Sequence, residues 1–188
     1  MPTSGTKIED FISKSGKNII LRYIHENDAE ELFRYVNELS KEDTFIRFSG
    51  ETVPLIEEKE YLQAQIEKLE KGDVTPIVAT HHDKIIGNSS IERNLVDKRR
   101  GLHTGNFGMA VSAEYRGDWI GEKLMRTVID QAKKHMQGLR IIRLTVYGSN
   151  NTAQNLYKKM GFLECGRLPK GVLYRGTCLD MIEMYLEI

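Results

Sequence analysis

Segments with strand-like and helix-like patterns follow one another along this chain in an order that few folds accommodate. Short alternating apolar runs predict strands, whereas apolar residues spaced three and four positions apart predict amphipathic helices. The predicted order is β-α-α-β-β-β-α-β-α-β-β, an α/β (α+β) fold with helices on the faces of a mixed sheet. The predicted strands are 19–24, 75–80, 84–93, 106–112, 142–146, 162–166 and 178–186.

The length and composition fit one folded domain. We expect residues 1–18 to be an N-terminal extension and residues 19–188 to form the domain, because 188 residues suffice for a single core. Hydrophobic residues make up 40% of the chain, and no apolar run approaches the roughly 20 residues that cross a bilayer. The first 18 residues lack the apolar segment of a secretory signal, which predicts a cytoplasmic location.

Charge and cysteine content argue against several other classes of protein. Lys plus Arg equals Asp plus Glu at 27 each, so no overall field attracts nucleic acid or an anionic membrane. Two cysteines, Cys165 and Cys178, are too few for a disulfide framework or a four-cysteine zinc site, and we expect both to be reduced strand residues. The pair His81-His82 is predicted to lie in a hairpin turn, and we expect no metal.

A glycine-bearing turn is the first segment with recognisable chemistry. Residues 114–125 (EYRGDWIGEKLM) connect a predicted strand to a long predicted helix. Backbone N–H groups at such a turn can converge on a phosphate, although many such turns only join a strand to a helix. The segment is not a P-loop, because no Gly-Lys-Ser/Thr follows, and the three spaced glycines of a dinucleotide-binding fold are absent.

A second segment, residues 146–162 (VYGSNNTAQNLYKKMGF), narrows the interpretation. Its order Asn-x-x-Ala-x-x-Leu-Tyr-x-x-x-Gly-Phe, from Asn150 to Phe162, resembles motif B of the GNAT superfamily of N-acetyltransferases. Residues 116–121 (RGDWIG) resemble the acyl-CoA signature Arg/Gln-x-x-Gly-x-Gly/Ala of the same superfamily, five residues after Val111. The resemblance covers about residues 19–188.

The resemblance implies an acetyl-CoA-dependent N-acetyltransferase that transfers acetyl directly to a primary amine of a small molecule, protein or peptide. It places the pantetheine arm along residues 109–111, the diphosphate on N–H groups at 117–122, and the pantetheine amide at Asn150. The implied acetyl-CoA-binding residues are Met109, Ala110, Val111, Arg116, Gly117, Asp118, Trp119, Ile120, Gly121, Glu122, Asn150 and Asn155.

Catalytic roles are implied for three further side chains. Tyr157 occupies the position of the family's general acid, which protonates the departing thiolate, whereas without the motif it would be one more apolar contact. An amine that is protonated at pH 7 also needs a proton acceptor, for which Glu92 is the first candidate and His103 the second. Either residue could instead be solvated or structurally paired.

Trp119 departs from the signature, which has a glycine at this position. A left-handed conformation would cost a Trp residue about 1–2 kcal/mol, so we expect an ordinary right-handed backbone with the ring turned outward.

Two alternatives stay open. One is a non-catalytic module that binds or senses acyl-CoA, and the other is an enzyme with a longer acyl donor. The sequence does not identify the amine acceptor. A homodimer is expected, because many members of the family form dimers.

Overall fold

The computed structural model describes residues 2–188, which contain eight strands and four α-helices. The strands form a mixed sheet in the order β1-β2-β3-β4-β5-β6-β8-β7, which confirms the predicted fold class. In chain order the elements are β1 (Lys7–Ile12), β2 (Asn18–Tyr23), α1 (Ala29–Lys41), α2 (Leu55–Lys71), β3 (Val74–His81), β4 (Lys84–Arg93), β5 (Thr104–Val111), α3 (Ile120–His135), β6 (Ile141–Tyr147), α4 (Asn151–Lys159), β7 (Leu163–Tyr174) and β8 (Thr177–Glu187).

Strand β1 was missed by the sequence prediction, which begins the order at β2. It lies within the predicted N-terminal extension and pairs antiparallel with β2, with Phe11 opposite Ile19 and Ile12 opposite Asn18. Its sequence KIEDFI carries charges at three of six positions and its residues are exposed or half-buried. The apolar alternation that marks a half-buried strand is therefore absent.

The chain divides into two compact units, the first comprising residues 2–92 and 108–137 and the second residues 93–107 and 138–188. In the first unit, strands β1 to β4 form consecutive antiparallel pairs. In the second unit, the start of β5 pairs in parallel with β6, and β8 pairs antiparallel with both β6 and β7.

Helices α1 and α2 share one apolar core with β3 in the first unit. Its buried members are Ile24, Leu32, Tyr35, Leu39, Leu62, Val78 and Ile85. Helix α3 packs against β3 and buries five residues at helical spacing, Leu124, Met125, Val128, Ile129 and Ala132.

Local sequence determines two turns of the first unit, of which the second confirms the predicted hairpin turn. Helix α2 ends at Gly72, whose left-handed conformation (φ 74°) lets its N–H bond to the Leu69 carbonyl at 3.0 Å. His82 and Asp83 form the β3–β4 hairpin turn, with φ values of 49° and 63°. In the second unit, Cys165 and Cys178 are free cysteines in β7 and β8, as expected.

Candidate active site

The glycine-bearing turn connects β5 to α3 in the first unit. A short 3-10 turn over Ala113–Tyr115 follows β5, and α3 begins at Ile120. Gly117 has φ 73°, and a Cβ placed there would meet no atom within 4 Å, so the chain is open to solvent at this point. The N–H groups in the first turn of any α-helix have no intrahelical acceptor, which makes this end of α3 suited to an anion.

The expected right-handed backbone at Trp119 is wrong. Trp119 is the N-cap of α3 with φ 65° and ψ −5°, the left-handed conformation that a glycine adopts without strain. The ring is 61% exposed, so its outward orientation was predicted correctly. The backbone is fixed on both sides, because Lys123 N–H donates to the Trp119 carbonyl at 3.1 Å and the side chain of Asp118 is anchored.

The Asp118 carboxylate is buried and is held by the turn between β1 and β2. It accepts hydrogen bonds from the backbone N–H and the hydroxyl of Ser15, both at 2.6 Å, and lies 3.6 Å from the Lys17 ammonium. The hydrogen bond from the Ser15 hydroxyl is the main cause that lowers the pKa of Asp118 to about 2. With its carboxylate engaged, Asp118 has only its backbone to offer the predicted diphosphate.

Charged side chains around the turn are engaged by groups of opposite charge. Arg116 donates to the Val111 carbonyl at 2.8 Å and forms an ion pair with Glu42. Lys123 pairs with Glu9 of β1, and Glu122 pairs with Arg126 at 3.0 Å. An anion at this turn would therefore be held chiefly by backbone N–H groups and the α3 dipole.

Strand β5 approaches the turn through Met109, Ala110 and Val111, and its carbonyls are held by side chains. The buried Tyr35 hydroxyl donates to the Ala110 carbonyl at 2.8 Å and lies 3.3 Å from Asn88 Oδ1. The Ser89 hydroxyl donates to the Gly108 carbonyl at 3.0 Å. Tyr35 was not predicted as a site residue, because its spacing alone places it on the apolar face of α1.

Glu92 lies at the end of β4, on the face of the sheet covered by α2. Asn88, Ser90 and Glu92 alternate as half-buried polar residues along that face. The Glu92 carboxylate accepts from Lys68 Nζ at 2.6 Å and from Gln65 Nε2 at 3.4 Å. The first candidate for the proton acceptor is thus already in an ion pair.

Tyr157 lies on α4 in the second unit and its ring is packed among aromatic side chains. The ring is 8% exposed, with centroids 6.0 Å from both Phe107 and Phe162. Burial raises the pKa of Tyr157 to about 12. Its hydroxyl forms no hydrogen bond with any residue between 2 and 188, so this group has no structural partner there.

The remaining candidates of the second unit lie at the ends of elements. Asn150 is the N-cap of α4, with its Oδ1 accepting from Ala153 N–H at 3.1 Å. Its side-chain amide N–H groups are not used in that bond. Asn155 is exposed on α4, and His103 is exposed in the turn before β5, where its carbonyl accepts from Arg140 N–H at 2.8 Å.

Neither a metal site nor a membrane-spanning helix is found in the part of the chain from residue 2 onward. It contains no group of three or more His, Cys, Asp or Glu side chains arranged to hold a metal ion. None of its helices combines the length and apolar character needed to cross a membrane.

Residues 33–162 match the Acetyltransferase (GNAT) family. Over 179 residues the chain is 26% identical to the SPbeta prophage-derived uncharacterized N-acetyltransferase YokL of Bacillus subtilis (strain 168), covering 93% of this chain and 95% of that protein.

Solved structures share the fold. An acetyltransferase of the GNAT family from Streptococcus pneumoniae superposes with a TM-score of 0.81 at 26% identity, covering 90% of this chain and 99% of the other. The structure of yncA from Salmonella typhimurium with its cofactor acetyl-CoA gives a TM-score of 0.76 at 18% identity, covering 90% and 93% of the two chains.

Proposed function

The chain belongs to the acetyltransferase (GNAT) family of acetyl-CoA-dependent acyltransferases, and we propose that it transfers acetyl directly to a primary amine of a small molecule, protein or peptide. The observation that carries this proposal is the open turn from Gly117 to the start of α3. Helix N-termini of this kind bind phosphate groups through backbone N–H groups and the helix dipole.

The residues of the turn fit the diphosphate of CoA. No side chain fills the space above Gly117, and the indole of Trp119 is directed away from the core. We assign diphosphate binding to the backbone of residues 117–122. Asn150 and Asn155 stay predicted contacts to the remainder of the cofactor, through the free amide N–H groups of Asn150 and the exposed side chain of Asn155.

When bound, acetyl-CoA supplies a thioester acetyl group, and the chain must polarise its carbonyl oxygen. The peptide joining Ala110 and Val111 is suited to this role. Tyr35 holds its carbonyl at 2.8 Å, and a trans peptide is planar with the N–H opposite the carbonyl. Tyr35 therefore fixes the direction of the Val111 N–H, which we assign as the donor to the acetyl oxygen.

Tyr157 is assigned as the proton donor to the departing thiolate. Its ring is buried, whereas its hydroxyl has no protein partner within residues 2–188 and is left for a bound group. A donor without a partner is what a proton-delivering group needs before its substrate arrives.

The proton acceptor for the amine is the less determined assignment. Glu92 and His103 are the two candidates named from the sequence. The charge of Glu92 is already balanced by Lys68, and His103 is exposed at the surface. Neither geometry singles out a base. The homodimer and the cytoplasmic location also stay predictions.

Diphosphate binding is tested with two substitutions at Gly121. Gly121→Glu places a carboxylate at the start of α3 and should reduce acetyl-CoA affinity at least tenfold, because it repels the diphosphate. Gly121→Ala, which adds only a methyl group at a helical position, is the matched control and should change the affinity far less. Calorimetric titration with acetyl-CoA measures both, and a folded Gly121→Glu variant with wild-type affinity would show that the diphosphate binds elsewhere.

A sensing module is the competing function, and turnover separates it from the enzyme. Acetyl-CoA that binds without release of CoA in the presence of any amine would favour the sensor. Release of CoA with formation of an N-acetyl product supports the enzyme.

A further inference from the structure

One side of helix α2 carries a stripe of polar residues. Glu58, Tyr61, Gln65 and Lys68 recur at intervals of three and four residues, which places them along a single face. Lys68 and Gln65 both donate to Glu92, and these two contacts attach the stripe to the end of β4. These four residues and Glu92 are called the α2–β4 polar cluster below.

Two acceptor groups of this cluster lack a donor. Glu58 is 6% exposed, and its carboxylate forms no hydrogen bond or ion pair with residues 2–188. Gln65 is 3% exposed, and its buried Oε1 has no hydrogen-bond partner within the same residues. Leaving the buried Gln65 oxygen without a donor is costly, and the largely buried Glu58 carboxylate has no countercharge.

The negative charges of Glu58 and Glu92 both act on the hydroxyl of Tyr61. Desolvation is the main cause that raises the pKa of Tyr61 to about 12, and the negative charges of Glu58 and Glu92 raise it further. One hydroxyl is thus within electrostatic range of both carboxylates. Glu92 has its cation in Lys68, and Glu58 has none.

We propose that the acceptor amine binds to the α2–β4 polar cluster in its protonated form and that Glu58 takes its proton. The inference rests on the proposed acetyl transfer and adds the proton acceptor that function leaves open. An ammonium group carries a positive charge and several N–H donors. Glu58 and the Gln65 Oε1 lack such a partner, because the ammonium of Lys68 pairs with Glu92. Burial also raises the pKa of Glu58, and a base is most effective when its pKa is near the working pH.

The proton balance of the step is simple. One N–H bond of the ammonium breaks and the proton joins the Glu58 carboxylate, leaving the nitrogen lone pair free to attack the thioester carbonyl carbon. A new C–N bond forms as the C–S bond breaks. The nitrogen loses a second proton as the amide forms, and the thiolate gains one proton to become the CoA thiol. Glu58 then releases the first proton to water, so one proton is released for each acetyl group transferred.

The test compares three glutamate variants in single-turnover acetyl transfer. Glu58→Gln keeps the size of the side chain and should slow transfer by about 10²- to 10⁴-fold at pH 7. Glu57→Gln changes the adjacent exposed glutamate and should leave the rate unchanged. Glu92→Gln should have a smaller effect than Glu58→Gln.

The pH dependence separates a base from a merely structural residue. The difference in single-turnover rate between the wild type and Glu58→Gln should shrink as the pH rises toward about 10, where a Lys-like amine loses its proton in solution. Acceptor binding to Glu58→Gln, followed by calorimetry at pH 7, should also weaken because the ammonium loses its counter-charge. If Glu58→Gln does not fold, Glu58→Asp, which withdraws the carboxylate by one methylene, should show an intermediate loss.

The outcomes distinguish this inference from the proposed function. An active wild-type protein whose Glu58→Gln or Glu58→Asp variant keeps the wild-type rate at every pH overturns the assignment of Glu58 alone. The assignment of Glu58 is also overturned if Glu92→Gln loses more of the transfer rate than Glu58→Gln and this loss depends on pH. A wild-type protein that releases no CoA with any amine overturns the proposed function and this inference with it.

Discussion

Removing the Tyr157 hydroxyl should slow acetyl transfer while leaving the fold intact. Tyr157→Phe keeps the ring that packs 6.0 Å from Phe107 and Phe162, and the lost hydroxyl has no protein partner among residues 2–188. The free energy of unfolding should therefore change by less than about 0.5 kcal/mol. Any loss of activity can then be assigned to chemistry.

The size of the kinetic effect follows from the pKa of the hydroxyl. Burial raises the pKa of Tyr157 to about 12. A thiol with a pKa of about 8.5 is the stronger acid by about 3.5 units, so complete proton transfer to the thiolate is uphill by about 5 kcal/mol. The proton of Tyr157 is therefore only partly transferred in the transition state. The hydrogen bond that Tyr157 donates to the developing thiolate is worth about 1.5–3 kcal/mol, or roughly 10- to 200-fold in rate.

Rapid-quench measurement of a single turnover is the appropriate assay, because slow product release would hide the loss in steady-state rates. Acetyl-CoA affinity and the thermal midpoint serve as controls, and Tyr185→Phe in β8 of the same unit should keep the wild-type rate. Unchanged single-turnover rates for Tyr157→Phe across the pH range would refute the reasoning. Tyr157 would then be a packing residue, and the thiolate would take its proton from water.

Two further predictions concern stability. Tyr35→Phe leaves the Ala110 carbonyl without its donor and should lower the free energy of unfolding by about 1–3 kcal/mol in urea titrations, and a change below about 0.5 kcal/mol would contradict the role of this bond. The Asp118 pKa is lowered from 3.8 to about 2, so its carboxylate stabilises the fold above pH 3.8 and that contribution is lost as the pH falls toward 2. The thermal midpoints of the wild type and Asp118→Asn should converge over this range, and parallel curves would exclude the linkage.

Much of the fold was predictable because its signals are local. The stripe from Leu124 to Ala132 follows from helical spacing, and Gly72 follows from the chemistry of helix ends. The N-cap at Asn150 depends on four consecutive residues. Each of these features is encoded within one or two turns of the chain.

The features that the sequence prediction missed depend on distant partners. Asp118 bonds to Ser15, which is 103 residues away, and no local pattern connects them. Trp119 adopts the left-handed backbone that its own preference opposes, because the anchored Asp118 precedes it and α3 starts directly after it. Glu58 resembles its exposed neighbour Glu57 in sequence, and only the packing of α2 distinguishes them.

Acetyl transfer itself is tested most directly by incubating the wild-type protein with acetyl-CoA and a panel of small amines and peptides. Thiol release and mass spectrometry would follow CoA and the N-acetyl product in the same reaction. Acetyl-CoA-dependent transfer to an amine predicts that the two products form in equal amounts with at least one acceptor. Saturable acetyl-CoA binding with no thiol release and no acetylated product across the panel would contradict it.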